Sequence, residues 1–261
     1  MHSRKKWDRQ VDRANQLQPK GFATPGLLKL KSKKLKAYET PAAEMYTGDG
    51  HKRLMDGVKN LRDTFGQGIV DVRIISPGYG LLNEEDCIVP YNYDFSKLSI
   101  DEIEQRSKKL KIHPKIECLL SCYNLAFFLL SGKYIRACKP PFDVQRSAEQ
   151  IFLVSESDQD KIPSNRPHIH SVCAGERLIA KPQLDGATRY NLKGVVFERL
   201  CKVACDRRRQ GFGRGFDNGN GGQPPPANPP VEREPGHQVF EKVKRNPQRM
   251  IEMVLNCNKR L

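Results

Sequence analysis

The chain has no long apolar segment. Its longest apolar run, Cys118 to Leu130, is interrupted by polar residues and is too short to span a bilayer. The basic stretch from Met1 to Arg13 is followed by no apolar region of the kind that signal peptides contain. We therefore expect a soluble, cytoplasmic protein that does not contact a membrane.

Common catalytic signatures are also missing. The sequence contains no P-loop, no Rossmann glycine fingerprint, no Gly-x-Ser-x-Gly elbow and no His-Glu-x-x-His helix. Gly211, Gly213 and Gly215 alternate, but they do not lie between a predicted strand and a predicted helix. Hydrolase, kinase and zinc-protease functions thus have no support, and we expect no cofactor.

Cysteine is too sparse for a disulfide scaffold, with 8 residues in 261, and there is no Cys-x-x-Cys pair. Some potential zinc ligands do lie close together in sequence: Cys118 and Cys122, Cys201 and Cys205, His113, and the cluster His168, His170 and Cys173. Because Cys118 falls in a predicted strand, where residues four apart are about 13 Å from each other, a zinc site is disfavoured. We favour buried structural cysteines and surface histidines, and expect no metal.

Positive charge is abundant but uneven. The chain carries a net charge of +15, of which residues 1–36 hold +9 and residues 202–261 hold +6, so residues 37–201 are neutral. Basic ends of this kind suit a polyanion such as nucleic acid, because each neutralised phosphate releases counterions. One alternative is that the basic ends only keep the protein soluble. Another is an anionic membrane surface, which is disfavoured because neither end shows an amphipathic stripe with aromatic anchors.

The distribution of charge, glycine and proline divides the chain into four parts. We predict a basic N-terminal arm over residues 1–39, an α/β core over 40–206, a disordered Gly/Pro-rich linker over 207–235 and a short basic helix over 236–261. The predicted fold is α/β, with a single mixed-sheet core domain and flanking helices.

Hydrophobic periodicity and turn residues predict the elements of this core. A Lys-rich stretch, Leu27 to Lys36, is interpreted as an edge strand or an unstructured arm. The predicted helices cover residues 41–65 with a break near Gly48, 99–109 with Ser99 and Glu102 as a capping box, 123–137 and 191–205. The predicted strands cover residues 69–75, 116–120, 150–154 and 168–173.

A tyrosine flanked by glycines follows the first of these strands. The strand ends at Ser76 and Pro77 and leads into Gly78-Tyr79-Gly80. Such a tyrosine can present its ring and hydroxyl to a ligand, because neither neighbour has a side chain that blocks approach. The alternative is a tight turn whose tyrosine packs on the domain.

Four short motifs resemble the YaaA-like family when they are taken together and in order. They are Tyr46-Thr47-Gly48, then Ser76-x-x-Tyr79-Gly80-Leu81-Leu82, then Pro90-Tyr91, and finally Gly186-x-x-Arg189-Tyr190-Asn191-Leu192-Lys193-Gly194. The resemblance covers roughly residues 40–205. It departs from the family pattern before Thr40, where nothing supplies the Ser-Pro-Ala-Lys or Cys-Ser type turn that usually ends the first strand.

The resemblance implies an α/β fold with a positively charged cleft, DNA binding and a role in limiting oxidative DNA damage. Relatives linked to 7-deazaguanine modification of DNA suggest an alternative, an enzyme that acts on a base or nucleotide. In that case the base would stack on Tyr79 or Tyr91, and Ser76, Lys181 or Arg189 would supply proton or anion contacts. A third hypothesis is an interaction scaffold that recruits partners through the C-terminal helix.

These hypotheses share one set of candidate residues. Tyr79 and Arg189 are the catalytic candidates. The candidates for contact with a ligand or with DNA are Tyr46, Thr47, Gly48, Ser76, Tyr79, Gly80, Tyr91, Lys181, Arg189 and Lys193. Because residues 37–201 are neutral overall, a positive cleft near Tyr79 has to come from a few residues such as Arg189 and Lys193.

Overall fold

A computed structural model describes residues 5–7, 9–143, 148–163 and 165–212. Its helices are α1 (Pro19–Ala23), α2 (Pro25–Lys34), α3 (Ala42–Met45), α4 (Asp49–Phe65), α5 (Ile100–Leu110), α6 (Ile112–Leu120), α7 (Gly132–Cys138) and α8 (Leu192–Phe212). Its strands are β1 (Thr40–Pro41), β2 (Arg73–Ser76), β3 (Gly80–Asn83), β4 (Cys87–Ile88), β5 (Leu125–Phe128), β6 (Glu149–Val154) and β7 (Ile169–Cys173). The fold is α/β, as predicted.

The strands form three small sheets instead of the single mixed sheet that was predicted. Strands β5, β6 and β7 make a parallel sheet with β6 in the centre, whereas β1 pairs with β4 and β2 pairs with β3 in antiparallel ladders. In the β2–β3 hairpin Ser76 pairs with Gly80, so Tyr79 lies in the turn, as the sequence predicts.

Helices cover both faces of the parallel sheet. The alternating side chains of β6 send Ile151 and Leu153 into a cluster with α4 and α8, and Phe152 and Val154 into a cluster with α5, α6 and α7. Because β6 is buried on both faces, it is a continuous apolar run in the sequence. The helices cover the two faces of the sheet, and loops follow the carboxyl ends of its three strands.

Two glycines let α8 pack tightly against α4. A Cβ atom on Gly194 would lie 2.2 Å from the Gly50 carbonyl oxygen, and one on Gly57 would lie 3.1 Å from the Cys201 Sγ. The contact at Gly50 brings the first turns of the two helices together. The start of α8 is thereby held at the carboxyl edge of the sheet.

The N-terminal segment is packed on the core. Val11, Leu17, Phe22 and Leu35 are buried in a third cluster with α3 and the β3–β4 region. The Leu17 backbone pairs with the segment around Tyr91, donating to the Pro90 carbonyl at 3.0 Å. The described part of the predicted basic arm is therefore part of the folded domain.

Several element predictions are confirmed. The break near Gly48 separates α3 from α4, and the strands predicted over residues 150–154 and 168–173 correspond to β6 and β7. Ser99 and Glu102 form the predicted capping box, with Glu102 N donating to Ser99 Oγ at 3.3 Å and Ser99 N to Glu102 Oε2 at 2.8 Å.

Four element predictions are wrong in whole or in part. The strand predicted over residues 69–75 begins only at Arg73, because residues 67–69 form a 3₁₀ turn. Residues 116–120 belong to α6 instead of a strand, and residues 123–137 contain β5 and α7 instead of one helix. Short apolar runs such as those in these two stretches do not by themselves distinguish a strand from a buried helix. Residues 27–36, predicted as an edge strand or an unstructured arm, lie mostly in α2, where Pro25 occupies a favourable first-turn position.

The cysteine predictions are partly confirmed. Cys201 and Cys205 are buried on α8, whereas Cys118 and Cys122 are exposed, because Cys118 lies on the outer side of a helix and not in a strand. No group of three or more potential metal ligands is found among the described residues. Nor is any helix in this part of the chain long and apolar enough to cross a membrane.

One predicted boundary, the end of the core at residue 206, falls within a helix. Helix α8 continues to Phe212, past the predicted domain boundary at residue 206. The rest of the predicted linker, together with the predicted helix over 236–261, lies outside the described residues.

Candidate functional site

A cavity of about 430 Å³ lies at the carboxyl ends of β5, β6 and β7. We call it the carboxyl-edge cavity. It is lined by the residues that follow the three strands and by the start of α8: Leu129, Ser131, Ser155, Glu156, Ser157, Asp158, Ala174, Gly175, Glu176, Arg189, Tyr190, Leu192 and Lys193. The carboxyl edge of a parallel sheet is where α/β proteins usually bind ligands.

A second cavity, of about 510 Å³, adjoins the first and shares Leu129, Ser131 and Tyr190 with it. We call it the tyrosine cavity. Its lining comes from the start of α4, from β2 and from α7: Tyr46, Gly48, Asp49, Gly50, His51, Leu54, Val72, Arg73, Ile74, Ile75, Leu130, Tyr134 and Thr188. The two cavities together form one cleft, with polar groups at one end and aromatic and aliphatic side chains at the other.

Lys193 supplies a half-buried positive charge to the carboxyl-edge cavity. Its Nζ donates a hydrogen bond to the Leu130 carbonyl oxygen. Burial lowers the pKa of Lys193 to about 8, and the nearby Asp158 carboxylate only partly opposes this effect. Within the described residues Lys193 forms no ion pair, so a negatively charged ligand group can serve as its partner.

The carboxylates of the same cavity already have partners. Asp158 pairs with Lys161 and accepts a hydrogen bond from Ser155 Oγ at 2.6 Å. Burial disfavours the charged form of Asp158, but these hydrogen bonds outweigh burial and lower its pKa. Glu176 pairs with Arg189 at 3.1 Å, and this pair is exposed.

Two glycines lie close to acidic side chains that line this cavity. A Cβ atom on Gly132, at the start of α7, would lie 2.2 Å from Asp158 Oδ1. One on Gly175 would lie 2.9 Å from the Glu156 side chain. These close approaches bring the two acidic side chains up to the ends of neighbouring strands.

A chain of hydroxyl groups reaches the wall of the tyrosine cavity from the core. Ser76 Oγ donates to Tyr91 Oη at 2.9 Å, and Tyr91 Oη lies 2.5 Å from Tyr46 Oη. Burial raises the pKa of both tyrosines, so both phenols are protonated at neutral pH. The three groups come from three different motifs of the sequence.

Tyr79 packs on the domain. Its hydroxyl donates to the Val89 carbonyl at 3.3 Å, and its ring meets those of Phe22 and Tyr91 edge to face, with centroids 5.0 and 5.4 Å away. A Cβ atom on Gly78 would lie 2.4 Å from the Phe22 ring. The glycine before Tyr79 thus makes room for Phe22, which favours the alternative of a packed turn.

The predicted site residues occupy three places. Tyr46 and Gly48 line the tyrosine cavity, with Thr47 half-buried between them, while Arg189 and Lys193 line the carboxyl-edge cavity. Ser76, Tyr79, Gly80 and Tyr91 lie behind Tyr46 or in the hairpin turn, and Lys181 is exposed before a 3₁₀ turn. Arg189 and Lys193, which were expected to form a positive cleft near Tyr79, are therefore separate from it.

Of the two rings on which a base was expected to stack, Tyr79 or Tyr91, the ring of Tyr91 is inaccessible. Its side chain is 1% exposed, with Phe22 and Tyr79 against the ring and the Lys5 amine 3.7 Å from the ring centroid. No face of this ring is open to a ligand.

Sequence reasoning missed several residues of the cleft. Ser155 and Asp158 follow a correctly predicted strand, and the rule that ligands bind beyond carboxyl ends of strands would have identified them. Tyr134 was not identified, because residues 123–137 were predicted as one helix. Tyr190, which borders both cavities, stands in the last motif between two residues that were named.

No family model matches the chain, and none of the curated proteins or solved structures matches it. The resemblance to the YaaA-like family therefore rests on the four motifs alone.

Proposed function

We propose that the protein binds nucleic acid, with DNA as the expected form, and that one nucleotide unit enters the cleft. The observation that carries this proposal is the half-buried Lys193 charge, which has no ion-pair partner in the part of the chain that the structure describes and lies next to a cavity lined by aromatic and aliphatic side chains. A nucleotide combines an anionic group with a planar, largely apolar ring. It thus matches both ends of the cleft.

The size of the cleft supports this assignment. Cavities that bind small molecules typically measure about 300–1,000 Å³. The tyrosine cavity, at about 510 Å³, has room for a base beside Tyr46, Tyr134 and Tyr190. Stacking of a base on an aromatic side chain tolerates any base, because every base has a π face.

A basic surface on α1 and α2 supports contact with a longer chain. Residues 13–38 contain no acidic residue, and α2 itself carries Lys29, Lys31, Lys33 and Lys34. Lys29, Lys33 and Lys34 are exposed and form no ion pair within the described residues. Unpaired exposed lysines on one short helix provide charge for phosphate groups.

Calorimetric titration with 5′-GMP, 5′-AMP, 5′-CMP and 5′-UMP tests the cleft directly. We expect at least one of these nucleotides to bind the full chain. Lys193→Met should weaken that binding about tenfold, because methionine cannot form a charge-assisted hydrogen bond with the phosphate. The matched control is Lys202→Met, an exposed lysine on the same helix. Equal affinities for Lys193→Met and wild type would contradict the proposal.

A second candidate function is an enzyme that acts on the bound base or nucleotide. The observation that favours it is the pKa of Lys193, about 8, which lets the amine take up or release a proton near neutral pH. Of the two catalytic candidates, Arg189 reaches the carboxyl-edge cavity, whereas Tyr79 does not line either cavity. Chemical change of a bound nucleotide that persists unaltered in Lys193→Met would exclude this role for the lysine.

The other expectations from the resemblance remain predictions. A role in limiting oxidative DNA damage and a cytoplasmic location follow from the motifs and the composition. The C-terminal segment proposed as a scaffold lies outside the described residues.

A further inference from the structure

We propose that the Tyr46 hydroxyl donates a hydrogen bond to an acceptor atom of the ligand in the tyrosine cavity, and that Ser76 and Tyr91 impose this direction. The ligand class rests on the proposed function. The direction of the hydrogen bonds rests on the structure alone, through the number of protons and lone pairs that each hydroxyl has.

The direction is set first at Ser76. Its Oγ accepts hydrogen bonds from the backbone N–H groups of Gly78 and Tyr79, each at 3.2 Å. A serine hydroxyl has one proton and two lone pairs, so these two bonds use its capacity as an acceptor. Its proton is left to donate, and Tyr91 Oη lies 2.9 Å away.

Burial decides the next step, between Tyr91 and Tyr46. The two phenolic oxygens lie 2.5 Å apart, and geometry alone allows either one to donate. If Tyr46 donated, the Tyr91 proton would be left in the core, because no other acceptor for it is found among the described residues and its side chain is 1% exposed. A buried donor without a partner is strongly disfavoured. Tyr91 therefore donates to Tyr46.

The remaining proton belongs to Tyr46, which borders the tyrosine cavity. Within the part of the chain that the structure describes, the Tyr46 hydroxyl accepts from Tyr91, and the Ser76 hydroxyl also lies close enough to favour the Tyr46 phenolate, so both neighbours act on Tyr46 as donors. Burial raises the pKa of Tyr46, which keeps the proton in place at neutral pH. Tyr46 is thus left with a proton that a ligand can accept.

This arrangement selects the chemistry of the ligand. An atom beside Tyr46 has to accept a hydrogen bond, as a carbonyl oxygen or an unprotonated ring nitrogen does, and a group that can only donate leaves the proton unpaired. Nucleobases carry both kinds of acceptor. Ser76 and Tyr91, two of the predicted contact residues, are positioning residues that act through Tyr46 without touching the ligand.

Neutron diffraction from deuterium-exchanged crystals of the full chain tests the direction without any ligand. We expect deuterium on Ser76 Oγ to point to Tyr91, deuterium on Tyr91 to point to Tyr46, and deuterium on Tyr46 to point into the cavity. Deuterium on Tyr46 that points to Tyr91 would overturn the proposal. A second readout is the pKa of Tyr46 followed by ¹³C NMR, which should rise in Tyr91→Phe because the bond donated by Tyr91 stabilises the phenolate.

The ligand contact is tested with the four mononucleotides named above. Tyr46→Phe should weaken the tightest of these complexes about tenfold, the usual cost of leaving one polar partner unpaired. Tyr93→Phe, a half-buried tyrosine of the same cluster outside the chain of hydroxyls, should leave the affinity unchanged. Equal affinities for Tyr46→Phe and wild type would exclude the hydrogen bond from the Tyr46 hydroxyl to the ligand. If no mononucleotide binds wild type, the proposed function fails, while the neutron map still decides the direction.

Discussion

At the scale of single residues, Lys193 places a half-buried positive charge in the cleft. Its amine loses hydration on burial, and its direct partner among the described residues is a carbonyl oxygen. The neighbouring carboxylates are committed to Lys161 and Arg189. Such a charge costs stability in the free protein and is stabilised when an anion binds.

Replacing Lys193 by methionine should stabilise the free protein at pH 7 by about 1–2 kcal/mol, because it removes a partly desolvated charge while keeping the volume. The folded-state pKa of about 8 lies below the unfolded value of 10.5. Between these pH values the unfolded state binds more protons, so wild-type stability rises with pH and the advantage of methionine shrinks. Urea unfolding at pH 7 and pH 10 measures both effects, and a variant less stable than wild type at pH 7 would contradict them.

The same titration predicts how ligand affinity depends on pH. Binding of an anionic group requires protonated Lys193, so nucleotide affinity should fall as pH rises above about 8 and should be roughly tenfold weaker at pH 9 than at pH 7. Calorimetry across this range gives the profile. The Lys193→Met variant should show no such fall, and an identical fall in both proteins would show that another group is responsible.

At the scale of elements, the placement of α8 depends on its first turn. Gly194 lies against the Gly50 backbone of α4, which leaves no space for a side chain. Backbone atoms in the first turn of a packed helix have little freedom to move aside. The start of the cleft-lining helix is therefore fixed by a residue that contributes no side chain.

Gly194→Ala should destabilise the protein by about 1–3 kcal/mol, because the two helices have to separate to admit a methyl group. Denaturant unfolding measures the loss. Gly26→Ala is the matched control, since a Cβ atom there meets nothing within 4 Å on a helix that favours alanine. A Gly194→Ala variant as stable as wild type would show that the helices are not in this close contact.

Local signals predicted some elements well and others poorly. The capping box at Ser99 and the strand β6 are encoded in a few neighbouring residues, so they were predictable. The run from Cys118 to Leu130 was not, because its apolar residues fit a strand or a helix equally well and its division into α6 and β5 depends on packing against other parts of the chain. Part of the site was missed for the same reason, since Tyr134 follows that run.

At the scale of the whole molecule, the basic N-terminal region belongs to the domain. It buries Leu17, Phe22 and Leu35 against the segment that holds Tyr91. The charge pattern alone predicted a separate arm, because burial of its widely spaced apolar residues depends on contacts far away in sequence. Deleting residues 1–36 removes part of the core together with the charge. Substitutions on the surface of α2 are the better test of that charge.

Lys29→Gln, Lys33→Gln and Lys34→Gln together should make binding of a DNA oligonucleotide less sensitive to salt. For each phosphate that the variant no longer neutralises, the slope of the logarithm of affinity against the logarithm of salt concentration should change by about 0.9 for duplex DNA. Fluorescence anisotropy between low and moderate salt gives the slope. The control replaces Lys108, Lys109 and Lys115, which are exposed on α5 and α6. Equal slopes for the two triple variants would show that the lysines of α2 do not contact DNA phosphates in particular, and that their charge serves solubility alone.

The crystal structure of the full chain with its tightest mononucleotide tests the central claim most directly. We expect the phosphate within hydrogen-bonding distance of Lys193 Nζ in the carboxyl-edge cavity, and the base in the tyrosine cavity with an acceptor atom facing the Tyr46 hydroxyl. A nucleotide seated at the Tyr79 turn, or anywhere else outside these two cavities, would contradict the account.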